Sequence, residues 1–196
     1  MTPLGAEHLA AAVDLDQHIF GGWWSLQGYQ QEMERPSSTL LGLRLHPIHL
    51  MTGKWSSPAA NRGRSAVPSL IGMGCLWRIL DEAHITLLGV HPQYQGQGLG
   101  QALLCSLMQA AHTDNANRIT LEVRATNAAA VALYTQFDFQ IAGRRSQYYE
   151  NGEDAFVLWQ GSLQTPQFVR SLQDWRQKSE RRLATWGCTN LKIVLN

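Results

Sequence analysis

The run Gln95-Gly96-Gln97-Gly98-Leu99-Gly100 sets the tightest limit on how this chain folds. Ahead of it, Ile85-Thr86-Leu87-Leu88-Gly89-Val90 is a short apolar run that reads as a buried strand, ending at His91-Pro92. Behind it, Leu99, Ala102, Leu103, Leu107 and Ala110 recur at helical spacing. A glycine-rich turn between a strand and a helix lets several backbone N–H groups point into one small space. They sit where a helix begins, and its unpaired donors and dipole favour an anion. The predicted ligand is a phosphate or pyrophosphate held mostly by main chain around Gln97 to Gln101. A tight glycine turn with no ligand is the plain alternative.

Spacing separates the motifs that use glycines this way. A P-loop ends in Gly-Lys-Ser/Thr, but here Gly100 is followed by Gln101 and Ala102. A dinucleotide fingerprint is G-x-G-x-x-G with an acid about 20 residues on. Gly96 and Gly98 fit it and Glu122 could pass for the acid, but the third glycine position falls on Gln101. Too little chain follows for a doubly wound sheet. The third pattern, Q/R-x-x-G-x-G/A, is met by Gln95, Gly98 and Gly100.

Residues 119–137 read ITLEVRATNAAAVALYTQF. Ile119, Leu121 and Val123 alternate with Thr120, Glu122 and Arg124, the period of a strand. Asn127 is placed to cap the alanine-rich helix that follows, and Tyr134 lies near the same helical face. The glycine loop resembles the acetyl-CoA pyrophosphate loop of the GNAT N-acetyltransferase superfamily. The later block resembles the bacterial ribosomal-protein alanine N-acetyltransferases, a branch with the pattern L-E-V-R-x-S-N-x-x-A-x-x-L-Y. Only Thr126 departs from it. Gly143 to Tyr149, Asn151 to Ala155, and Trp24-Ser25 after Asp16 are similar to that branch too. The similarity is strong over 83–158 and looser over 7–45; it is absent from 46–69 and from the C-terminal tail.

The resemblance implies an α/β GNAT fold, a single domain with a mixed, strongly twisted sheet and helices on both faces. It implies acetyl transfer from acetyl-CoA to an N-terminal α-amine, most simply the N-terminal alanine of a small-subunit ribosomal protein. Two neighbouring parallel strands, ending at Val90 and Arg124, are expected to splay and admit the coenzyme. Leu88, Gly89 and Val90 would offer backbone groups to its pantetheine arm, with the Val90 amide meeting the acetyl carbonyl. Gln95, Gly96, Gln97, Gly98, Leu99, Gly100 and Gln101 would hold its pyrophosphate. Asn127 would touch the arm as well as cap the helix. No metal is implied.

Acetyl transfer to an amine needs a base and a proton for the departing thiolate. Glu122 is the candidate base: mid-strand between apolar neighbours, partial desolvation is expected to raise its pKa toward neutrality. The other reading is a surface glutamate paired with Arg124 or another cation. Tyr134 is the candidate acid, a phenol protonated at neutral pH, and otherwise a half-buried aromatic. Neutralising an α-amine at pH 7 costs about 1 kcal/mol, against about 4.6 kcal/mol for lysine. A modest base therefore suffices for a protein N-terminus, without excluding a lysine or a small-molecule amine. A non-catalytic acyl-CoA-binding module is the rival of another class. Trp24, Tyr29, Tyr148, Tyr149, Glu153 and Asp154 are candidates for framing the acceptor, with packing and a solvated Asn151-Gly152 turn as the alternatives. Where the branch has Leu-Gly-Phe after the tyrosine helix, this chain has Phe137-Asp138-Phe139. Asp tolerates the left-handed conformation that glycine would supply, at a small cost in stability.

At 196 residues, 44% hydrophobic and 16% charged, the chain fits one globular domain. No apolar run is long enough for a membrane span, and the first residues lack the pattern of a signal peptide, so a cytoplasmic location is expected. Cys75, Cys105 and Cys188 are far apart and read as reduced thiols. None falls in the motif block, so direct transfer in a ternary complex is expected, with Cys105 a weak nucleophile candidate. The seven histidines, His84 among them, form no ligand cluster and read as ordinary surface or satisfied residues. Residues 1–160 are read as the acetyltransferase domain, with a loop insertion at 46–69, and 161–196 as a basic extension. Within the extension, Gln167 to Ala184 looks helical, with Phe168, Leu172, Trp175 and Leu183 as packing residues. Its Arg170, Arg176, Lys178, Arg181 and Arg182 suit a solvated flank packed on its own domain; contact with ribosomal RNA is the second reading.

Overall fold

The computed structural model describes residues 6–44, 70–186 and 192–195; the 46–69 insertion and Cys188 lie outside them. The strands are β1 (Ser38–Arg44), β2 (Gly72–Ile79), β3 (Glu82–Val90), β4 (Arg118–Arg124), β5 (Gln140–Arg145), β6 (Ala155–Gln160) and β7 (Lys192–Leu195). They form one sheet in the order β5-β6-β4-β3-β2-β1-β7. Only β3 and β4 pair in parallel; the other neighbours are antiparallel. The helices are α1 (Leu9–Phe20), α2 (Leu26–Glu34), α3 (Leu99–Thr113), α4 (Ala128–Thr135) and α5 (Pro166–Thr185). The predicted mixed α/β architecture is therefore present. Among the described residues, no helix is long and apolar enough to cross a membrane.

Two apolar clusters flank the sheet. Leu103 and Leu107 of α3, Tyr134 of α4 and Phe168, Leu172 and Leu183 of α5 pack with Ile119, Leu121 and Val123 of β4. Ala12 and Leu15 of α1 and Tyr29 of α2 pack with Leu40, Met73 and Leu87. Two glycines let α3 lie close on β2. A β-carbon on Gly72 or Gly74 would stand 3.0 Å from Leu103 or Leu107, respectively. On the other face a β-carbon at Gly89 would stand 2.6 Å from Ile19 and Phe20 of α1. These close approaches fix the end of β3 between the two helical layers.

β3 carries a bulge. Leu76 pairs with Ile85, and its neighbour Cys75 pairs with Leu87, so Thr86 is extra. An extra residue turns over the alternation of faces. Ile85 accordingly packs in the α3 cluster, Leu87 in the α1 cluster, and Val90 again in the α3 cluster.

α4 starts and ends on sequence-encoded caps. Asn127 Oδ1 accepts from the Ala130 N–H at 3.1 Å. At the other end Phe139 N donates to the Tyr134 carbonyl at 3.2 Å and Asp138 N to that of Thr135 at 3.1 Å. Asp138 sits in the left-handed region, φ 61°, as its place in the motif requires. This is a Schellman ending, and the apolar contact that accompanies it is the pair Tyr134–Phe139, with ring centroids 5.6 Å apart. The helix terminator thus also seats the candidate acid.

Candidate active site

The site is built around an opening in the sheet. β3 and β4 are paired from Glu82↔Arg118 to Ile85↔Leu121, and both strands run on past the last pair, to Val90 and Arg124. The bulge at Thr86 falls where the pairing stops. The backbone of Leu88, Gly89 and Val90 therefore flanks the opening.

The glycine loop follows directly. Gln95 Nε2 donates to the Val90 carbonyl at 2.9 Å, tying the loop to the strand end. Gly96 (φ 78°) and Gly98 (φ 93°) both take the left-handed conformation. Gly98 is the N-cap of α3, and no side chain among the described residues caps that helix. The first-turn N–H groups of Leu99, Gly100 and Gln101 lack that partner, which is the condition for an anion site. Gln97 Oε1 is buried and has no hydrogen-bond partner among the described residues. Two left-handed glycines, an uncapped helix start and an orphaned polar atom beside a split strand pair fit the coenzyme that the sequence implies.

Glu122 lies on β4 beside the opening, with its side chain 11% exposed. His84 Nε2 stands 3.1 Å from one carboxylate oxygen and Arg145 3.1 Å from the other. His84 Nδ1 is 3.0 Å from the Thr120 hydroxyl, so the ring is held at both nitrogens. The sequence predicts a carboxyl raised toward neutrality; the structure shows the opposite. The hydrogen bond from His84 outweighs desolvation, and with the charges of His84 and Arg145 it holds the group below the ordinary carboxylate range. The cation is Arg145, not Arg124.

Tyr134 is 6% exposed, and burial pushes its phenol above the ordinary value, so it stays a proton donor at neutral pH. Tyr149 stands close enough to Glu122 for its charge to help raise the Tyr149 pKa, and close enough to Tyr134 to help keep that phenol protonated. Arg124 lies 3.9 Å from the Tyr149 ring centroid and 2.9 Å from Glu153. Glu153 also accepts from the Thr126 hydroxyl and, at 3.3 Å, from its N–H, which together with Arg124 lowers its pKa. Asp154 is held by Arg144 and the Gln147 N–H. Glu153 thus ties the loop between β5 and β6 to the end of β4, and Asp154 ties it to β5. Tyr148 and Tyr149 lie in that loop, since β5 ends at Arg145. Gly152 N donates to the Tyr149 carbonyl at 2.8 Å and closes the Asn151-Gly152 turn.

In the layer of α1 and α2, Asp16 is fully buried and accepts from the N–H groups of Trp23 and Trp24 and from the Tyr29 hydroxyl. Tyr29 itself has no exposed surface, so it positions the turn between α1 and α2 and cannot touch an acceptor. This corrects the sequence expectation. Trp24 packs edge-on against Tyr29 at 5.2 Å and is half-buried. The Cys105 thiol is pushed up to about 12 by burial in α3, which removes it as a nucleophile at neutral pH.

Sequence reasoning missed His84 and Arg145. His84 is two register positions from Glu122 across the β3–β4 pairing, and Arg145 reaches it from β5. Neither relation is visible before strand order and register are known.

The acetyltransferase (GNAT) family model matches residues 23–139. The ribosomal protein bS18-alanine N-acetyltransferase of Escherichia coli is 43% identical over 83 residues, 41% of this chain and 56% of that protein. The N-alpha-acetyltransferase RimI of Mycobacterium tuberculosis is 41% identical over 78 residues, 39% of this chain and 48% of that protein. The chain thus spans about half the length of these curated relatives. The crystal structure of the ribosomal-protein-S18-alanine N-acetyltransferase from Escherichia coli aligns with a TM-score of 0.63 at 27% identity, covering 82% of this chain and 92% of that one. Because the matched segment takes in everything from β1 to α4, the stretch that builds the opening and its loop, the chain belongs to the acetyltransferase (GNAT) family.

Proposed function

We propose that this protein transfers the acetyl group of acetyl-CoA to the N-terminal α-amine of a protein, foremost the N-terminal alanine of a small-subunit ribosomal protein. The observation that carries the reading is the opening of β3 from β4 past Ile85↔Leu121, with the uncapped start of α3 directly after β3. The N–H groups from Gln97 to Gln101 hold the diphosphate. The pantetheine arm runs along Leu88 to Val90, with Asn127 beside it. The Val90 amide polarises the acetyl carbonyl.

Transfer is direct. The amine nitrogen attacks the thioester carbon, the C–N bond forms, the C–S bond breaks, and the Tyr134 hydroxyl protonates the departing thiolate. Glu122, held as an anion, is a weaker base than its sequence position suggests. Its part is to stabilise the charge that builds on the nitrogen, with the surplus proton leaving through water along the Glu122–His84 pair. An α-amine, neutralised at pH 7 for about 1 kcal/mol, needs no stronger base. Trp24, Tyr148 and Tyr149 border the acceptor, and Glu153 fixes the loop that carries the two tyrosines. The two relatives named for α-amine acetylation support this acceptor class.

Mass spectrometry on peptides with free or blocked α-amines, the ribosomal protein terminus among them, tests the reading. The expected product is an acetylated α-amine. Acetylation confined to the lysine of an α-blocked peptide contradicts it, and coenzyme binding without any product favours a non-catalytic acyl-CoA-binding module.

A further inference from the structure

α5 lies beyond the segment that matches the family, yet its last turn rests on the glycine loop. Arg182 Nη2 donates to the Gly96 carbonyl at 2.9 Å. The stem of the same side chain covers Gly98, where an added β-carbon would stand 3.1 Å from Arg182 Cδ and 3.2 Å from Cγ. One arginine therefore touches both left-handed glycines of the loop. It is held there from below, because the next residue, Leu183, is 4% exposed and belongs to the same apolar cluster as Leu99 at the start of α3. Arg176, one and a half turns back, is paired with Glu180. Arg182 has no carboxylate partner among the described residues. A guanidinium carries five N–H donors in a planar fork, and the bond to Gly96 uses one. An exposed, unpaired cation fixed on a loop shaped for an anion has an obvious complement.

We propose that Arg182 is a coenzyme-affinity residue. It holds the loop in the conformation that receives the diphosphate and sets a fixed positive charge beside it. The C-terminal helix thereby completes a site that the family segment alone leaves open. This rests on the coenzyme A reading above and adds a residue to it.

Titration calorimetry on the full chain tests both, with coenzyme A and with pantetheine, which lacks every phosphate. Arg182→Gln is expected to bind coenzyme A about tenfold more weakly, as for loss of a charge-assisted contact, and pantetheine as the wild type does. Arg182→Lys, which keeps the charge but not the fork, should fall between the two. Because the side chain is exposed, thermal stability should be unchanged in both variants. Equal coenzyme A affinity in wild type and Arg182→Gln overturns the inference and leaves the coenzyme reading standing. So does a loss that is equal for coenzyme A and pantetheine. Failure of the wild type to bind coenzyme A at all overturns the coenzyme reading itself, and the role of Arg182 with it.

Discussion

Glu122 and Tyr134 are set by their surroundings in opposite senses. One is a carboxylate stabilised as an anion by His84 and Arg145; the other is a phenol kept neutral by burial. Replacing Tyr134 should lower kcat/KM by about 10²–10⁴, the usual range for loss of a general acid, and replacing Glu122 by about 10²–10³, as for loss of an electrostatic stabiliser, while coenzyme A affinity is retained. Wild-type turnover in Glu122→Gln or Tyr134→Phe would take that residue out of the mechanism. The lowered pKa of Glu122 also has a signature in stability. A depressed folded-state pKa contributes stability that is fully present above the unfolded carboxyl value and is lost as pH falls through the folded one. The part of the stability gap between wild type and Glu122→Gln that Glu122 itself contributes should thus be lost in acid, as the carboxylate takes up its proton. Urea unfolding at stepped pH reads this directly, and a gap that persists undiminished in acid would contradict it. The strand that carries Glu122 and the capped helix that carries Tyr134 were legible in the sequence, while the roles of the two residues were only implied by the family resemblance. The direction of the Glu122 shift was not, since it depends on side chains from β3 and β5 that only the sheet brings together.

Helix ends and strand irregularities decide where these side chains point. Asp138 ends α4 with φ 61°, and the Schellman bonds around it seat Tyr134 against Phe139. The departure from glycine was visible in the sequence as a mild cost, and its backbone angle agrees. Asp138→Gly should stabilise the fold by about 0.5–1 kcal/mol by relieving that conformation, with little change in kcat. A loss of stability in denaturant titration would mean that the aspartate makes a compensating interaction. The glycine loop and the Asn127 cap were equally legible, being local patterns. The Thr86 bulge, which coincides with the end of the β3–β4 pairing, was not: a bulge is an extra residue relative to a partner strand, and no single segment reveals it. The same reason hid the burial of Tyr29, whose hydroxyl bonds Asp16 across 13 positions of sequence.

At the scale of the whole molecule, two helical layers clamp the open end of the sheet. α3 stands on Gly72 and Gly74 through Leu103 and Leu107, both fully buried. Leu103→Ala should cost about 2–5 kcal/mol of folding stability, as a buried leucine whose neighbours relax only in part. A change below 1 kcal/mol would show that α3 is not packed on the sheet as described. The helical character of α5 and the burial of Phe168, Leu172 and Leu183 were legible from their spacing; the reach of Arg182 to the loop was not, because it joins residues 86 apart. The central claim is that the coenzyme enters between β3 and β4 with its diphosphate on the start of α3. A crystal structure of the acetyl-CoA complex measures it most directly. The account predicts diphosphate oxygens within hydrogen-bonding distance of backbone N–H groups between Gln97 and Gln101, and the pantetheine arm alongside Leu88 to Val90. A coenzyme bound elsewhere on the molecule, with that loop empty, would contradict it.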